Sequence, residues 1–127
     1  GVDVRVILDA SPKWNPDTKA LDGEPNPKNQ AAFDYLKTQG IPVVYDSMEQ
    51  QTHSKLVIVD DLIAFVGSNN WTYSALKKNL EISVLIRSAG HNRELSELYE
   101  EWWAAGEKQQ EWEPSRSAAL EERRKNR

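Results

Sequence analysis

HSKLVIVDDLIAFVGSNNWTYSALKKNLE, residues 53–81, is the stretch on which the reading of this 127-residue chain turns. Two apolar runs, Leu56 to Val59 and Leu62 to Val66, flank Asp60-Asp61. β-Branched and large apolar residues on both sides of a tight acidic turn specify an antiparallel hairpin. Alternate residues of a strand share a face, so His53 and Lys55 point the same way as Val57 and Val59. The returning strand carries Ser68 and Asn70, again two apart, back to the end from which His53 and Lys55 set out. A nucleophilic base, a cation and two neutral hydrogen-bonding groups are thereby gathered at one edge, which is what a phosphate site needs.

Taken singly these residues mean little. A lone histidine on a strand is usually a satisfied surface or core residue, a lone lysine a solvated charge, and Ser-Asn-Asn is ordinary turn chemistry. Their order is the signal. His53-x-Lys55, four residues, Asp60, six residues, then Gly67-Ser68-x-Asn70, with Asn79 and Glu81 after them, resembles the HKD signature of the phospholipase D superfamily. The resemblance spans residues 1–87 and is specific over 53–81. It implies an α/β fold, a mixed β-sheet flanked by helices, and a phosphodiesterase that works through a covalent phosphohistidine. It further implies that His53 is the nucleophile and that Lys55 places a positive charge on a non-bridging oxygen. Ser68 and Asn70 would bind the same phosphate, and Glu81 would accept the other ring proton of His53. A second histidine, from a second motif, would protonate the leaving group.

Asp60 belongs to the signature but stands seven residues beyond His53, roughly 20 Å along an extended strand. It is expected to be structural, like Gly67 at the turn and Asn79 near the site. His91, the only other histidine, follows Gly90 at a helix start with no partner pattern. Trp71 is expected in the core rather than on a substrate.

The rest of the chain supplies a scaffold. At 39% hydrophobic and 28% charged residues it is ordinary for one globular domain. The net charge of −4 provides no global basic field for nucleic acid or anionic lipid, so such attraction must be local. The absence of cysteine excludes disulfides, thiolate catalysis and cysteine-ligated zinc. His53 and His91 are far apart and the carboxylates lack EF-hand or two-metal spacing, so no metal or other cofactor is expected.

Val2 to Asp9 reads as a buried strand, residues 10–27, with four of the six prolines, as a long loop containing Trp14. Asn26-Pro27 starts a helix that Gly40 ends, with Asn29, Ala32, Phe33 and Leu36 on its inner stripe. Ile41 to Tyr45 is a strand, residues 47–52 a link, Trp71 to Lys78 a short helix capped by Thr72 or Ser74, and Leu80 to Ile86 a strand. A last helix begins near Asn92 and buries Leu95, Leu98, Trp102 and Ala105. The expected division is a catalytic domain over 1–112 and a charged tail over 113–127. In that tail Glu121 and Glu122 oppose any nucleic-acid role for Arg123, Arg124, Lys125 and Arg127.

Because the chain opens directly on a strand, the resemblance implies an N-terminally truncated domain. One motif where the superfamily uses two implies either a homodimer or the missing half in a longer parent chain. The substrate stays open between nucleic acid and phospholipid, since neither a basic surface nor an amphipathic membrane helix decides it. Two rivals remain: a catalytically silent binding module, and transfer to an alcohol instead of water.

Overall fold

The computed structural model describes residues 1–10, 27–46 and 52–125, with residues 27–28 and 109–125 as helix backbone. Residues 11–26 of the long loop, Trp14 among them, and residues 47–51 of the link lie outside the described residues. The chain divides into two compact units, Gly1–Thr52 with Trp102–Arg127, and His53–Glu101.

In the first unit β1 (Val6–Leu8) pairs in parallel with β2 (Val43–Tyr45), Val6 opposite Val43 and Leu8 opposite Tyr45. Helix α1 (Pro27–Thr38) makes the crossover that a parallel pair requires. It ends in a Schellman turn: Gly40, at φ 70°, donates to Lys37 O and Ile41 to Leu36 O, both at 3.0 Å. Glycine enters that left-handed conformation without steric cost. Phe33 stacks on Tyr45 with ring centroids 4.4 Å apart, and both join Ala10 and Val43 in the core. Of the expected inner stripe of α1, Phe33 is buried and Leu36 half-buried. Asn29 holds the chain by donating to Asp9 O at 2.7 Å. Ala32 is exposed; it stands one residue off the stripe of Phe33 and Leu36 that packs on the core.

The second unit is an antiparallel sheet in the order β3 (Lys55–Val59), β4 (Ile63–Gly67), β5 (Ser83–Arg87), with α2 (Tyr73–Lys77) between β4 and β5. The parallel and antiparallel pairings thus fall in separate ladders within an α/β fold. The expected hairpin is present, with Lys55 opposite Gly67 and Val59 opposite Ile63, so that Leu62 joins Asp60 and Asp61 in the turn. Asp60 and Asp61 both have positive φ, 51° and 54°, the mark of a primed turn whose twist suits the flanking strands. Aspartate is among the few side chains that enter this region readily. Thr72 caps α2, its hydroxyl accepting from Ala75 N.

Helix α3 runs Ala89–Lys125, starting three residues before Asn92 because Ser88 caps it: the Ser88 hydroxyl bonds His91 Nδ1 at 2.9 Å, and Asn92 N donates to Ser88 O. Residue 113 lies within this helix. Its most buried positions are Asn92, Trp103 and Gly106, while Leu98 is exposed and Leu95, Trp102 and Ala105 are half-buried. The buried stripe is therefore offset by one residue from the most apolar one. The offset is steric. Gly106 lets the helix backbone approach Tyr45 O and Val44, where a Cβ would lie 2.8 Å from Val44 Cγ2. The Arg5 guanidinium lies 5.3 Å from the centre of the Trp103 ring.

Candidate active site

The site forms where three strand ends meet. Lys55 opens β3, Gly67 closes β4 and Ser83 opens β5, and the register sets them in one row across the sheet. The residues of the signature gather just past that row. His53, two residues before Lys55, is exposed, as are Ser68, Asn70, Asn79 and Glu81.

Lys55 is buried, at 9% exposure, and its ammonium donates to His53 O at 2.7 Å. That bond uses one of three ammonium donors and ties the lysine to the histidine's own backbone. The Glu81 carboxylate is held at both oxygens: Ser68 Oγ lies 2.5 Å from Oε2 and Asn79 Nδ2 donates to Oε1 at 3.1 Å. These bonds, from Ser68 first and Asn79 second, together with the Lys55 charge, hold Glu81 below the usual carboxylate range. No bond between Glu81 and the His53 ring is among the described contacts. The partners are Ser68 and Asn79, which reach the carboxylate from the adjoining turn and from two residues upstream.

Asn69, the unspecified position of Gly-Ser-x-Asn, is buried and accepts from Ser83 Oγ at 2.6 Å. Nothing in a run of polar turn residues distinguishes it in sequence from Asn70, which stays exposed. Ser68 N donates to Ile82 O at 3.1 Å and Ile82 N to Ser68 Oγ at 3.3 Å. The turn after β4 is thereby laced to the start of β5. Asp60 lies past the opposite end of the hairpin, five residues from Lys55, a distance of about 17 Å at strand rise. The acidic side chain bonded there is Asp61, which accepts from Ser96 Oγ. Trp71, expected in the core, is 64% exposed, because it stands between the end of β4 at Gly67 and the start of α2 at Tyr73. His91 is engaged with Ser88. No group of three or more His, Cys, Asp or Glu suited to a metal ion occurs among the described residues.

Residues 1–103 match the family described as "Cardiolipin synthase, PLD-like domain". The chain belongs to the phospholipase D superfamily. Within it, this chain is 32% identical over 103 residues to the mitochondrial cardiolipin hydrolase of Mus musculus, covering 81% of this chain and 41% of that protein. It is 33% identical over 104 residues to a phospholipase D of Rickettsia prowazekii, covering 81% and 42% respectively. It is similar in structure to Nuc, a phospholipase D family member from Salmonella typhimurium, with a TM-score of 0.67 at 30% identity over 84% of this chain and 63% of that one. The chain spans less than half the length of these curated relatives. The α/β fold and the superfamily expected from the HKD resemblance are thus both found, and the relatives' names, cardiolipin hydrolase and phospholipase D, are those of phosphodiester hydrolases.

Proposed function

We propose that this chain carries the active site of a metal-independent phosphodiesterase that works through a phosphohistidine. The observation that carries the reading is the meeting of His53, Lys55, Ser68, Asn70, Asn79 and Glu81 at one end of a single antiparallel sheet. The names of relatives that act on cardiolipin or as phospholipase D support the reaction class.

Phosphodiester cleavage needs a nucleophile, a proton for the leaving oxygen and compensation for charge developing on phosphorus. His53 attacks through a ring nitrogen, forming an N–P bond as the first P–O bond breaks; water then hydrolyses the N–P bond. Lys55 retains two ammonium donors beyond the one on His53 O and sets them beside the phosphate. The exposed Asn70 amide adds a neutral donor. Glu81, with acceptor sites left on both oxygens, steadies the imidazolium. Gly67 is structural, and Asp60 fixes the far turn. The second histidine comes from the same motif of a mate chain, an arrangement supported by the apolar surface around Glu81: Leu80 is fully exposed and Ile82 78% exposed. Large apolar side chains left in solvent beside a site are a common mark of a surface that another chain covers. No helix among the described residues is long and apolar enough to cross a membrane, and phospholipid and nucleic acid both present the required diester.

The test is hydrolysis of bis(p-nitrophenyl) phosphate by the chain in excess EDTA. Turnover that persists with the chelator and vanishes in His53→Ala is expected. Loss of turnover on chelation, restored by a divalent cation, sinks the metal-free mechanism. A His53→Ala chain that still cleaves sinks the assignment of the nucleophile.

A further inference from the structure

Ser68 stands next to the phosphate-binding groups, yet its donors are already spent. A serine hydroxyl has one proton to give and two lone pairs to offer. An ionised carboxylate has only lone pairs, so the 2.5 Å contact with Glu81 Oε2 is a bond that Ser68 donates. One lone pair of Ser68 Oγ accepts from Ile82 N at 3.3 Å. The backbone N–H of Ser68 is taken as well, by Ile82 O at 3.1 Å. A phosphodiester anion, like the carboxylate, can only accept. One proton cannot serve both.

We propose that Ser68 is a positioning residue whose hydroxyl proton is committed to Glu81, leaving the substrate phosphate to Lys55 and Asn70. The other two groups have donors to spare: Lys55 uses one of three on His53 O, and the exposed Asn70 amide is unpartnered among the described residues. Asn79 completes the arrangement on the second oxygen at 3.1 Å, so each carboxylate oxygen is held by one neutral donor. The orientation of Glu81 is then set from the two segments that flank α2. Lys55, across the sheet on β3, is the charged group that faces it. The commitment of Ser68 keeps Glu81 ionised and aimed, which is the state a partner of the imidazolium must hold. A threonine, with the same hydroxyl, serves as well; alanine does not.

The kinetic part of this inference rests on the hydrolase reading, so the experiment has an arm that does not. The Glu81 carboxylate is titrated by carbon-13 NMR in the unaltered chain, in Ser68→Ala and in Ser68→Thr, with Glu81→Gln to assign the resonance. Its pKa rises in Ser68→Ala and stays put in Ser68→Thr. A titration unchanged in Ser68→Ala overturns the proposal. In turnover, Ser68→Ala lowers kcat by roughly ten- to a hundredfold, as expected for one hydrogen bond to a charged group, with KM within about twofold. Asn70→Ala instead raises KM by about tenfold. A KM rise in Ser68→Ala as large as that in Asn70→Ala makes Ser68 a phosphate ligand and overturns the assignment. If the unaltered chain turns over nothing, the hydrolase reading fails, and the Glu81 titration alone decides the role of Ser68.

Discussion

Gly67 shows how tightly single residues are constrained at the strand ends. Its φ is not positive, so conformational freedom is not the reason for glycine. Space is. A Cβ would press on Ser83 Oγ and lie 2.8 Å from Asn69 Oδ1 and 2.9 Å from Ser83 Cβ, the atoms of the bond that ties the turn to β5. Gly67→Ala is therefore expected to destabilise the chain by about 1–3 kcal/mol, the usual cost of overpacking, and to reduce turnover by disturbing Ser68. Urea unfolding and rate measurements on the variant check both. A midpoint equal to that of the unaltered chain would mean Ser83 turns aside freely. Asn69 is the residue at this scale that sequence reading passed over, since a buried acceptor and an exposed one look alike in Ser-Asn-Asn.

Pairs of elements are held by a few polar contacts as well as by packing. Asp46, at the end of β2, is buried, and accepts from Ala10 N at 2.7 Å and Thr52 N at 3.2 Å. It closes the β1–β2 pair by tying the residues just past each strand. Burial outweighs these bonds and pushes the Asp46 carboxyl above its usual pKa. The folded chain then takes up this proton at a higher pH than the unfolded chain does. The Asp46 contribution to stability accordingly grows as pH falls through the raised value, and is smallest where the buried carboxylate must stay charged. The stability difference between the unaltered chain and Asp46→Ala, measured by urea unfolding, should widen from about pH 7 to about pH 4.5. A gap that narrows instead would show that the hydrogen bonds to the ionised form dominate. The offset stripe of α3 has a related origin. Asn92 is fully buried, donating to Ile86 O at 3.2 Å, and Gly106 is buried because nothing larger fits. Neither is an apolar side chain that periodicity would select.

At the scale of the whole molecule, the proposed mechanism needs a second histidine, taken from the His53 motif of a mate chain. A site completed by a mate chain makes activity depend on association. Specific activity should hold at high concentration and then fall as the chain is diluted through its dissociation constant, so that rate drops faster than linearly. Sedimentation over the same range should show the dimer disappearing in step. A rate strictly proportional to concentration, from a species that sediments as a monomer, would place both proton-transfer groups in one chain.

The sequence by itself determined the superfamily and the hairpin, because these depend on local order: alternation in two short runs, an acidic turn tolerant of positive φ, and fixed spacing from His53 to Glu81. Thr72 at its cap and Gly40 at its helix end were legible for the same reason. Tertiary structure alone decided which polar groups are spent and which are free. That Glu81 takes its bonds from Ser68 and Asn79, that Asn69 is buried while Asn70 is not, and that Trp71 is exposed depend on where three strand ends converge. No single stretch of chain encodes that convergence. Hydrogen-bond donors are few and each can be used once, so their assignment is settled only when every competing acceptor is in place.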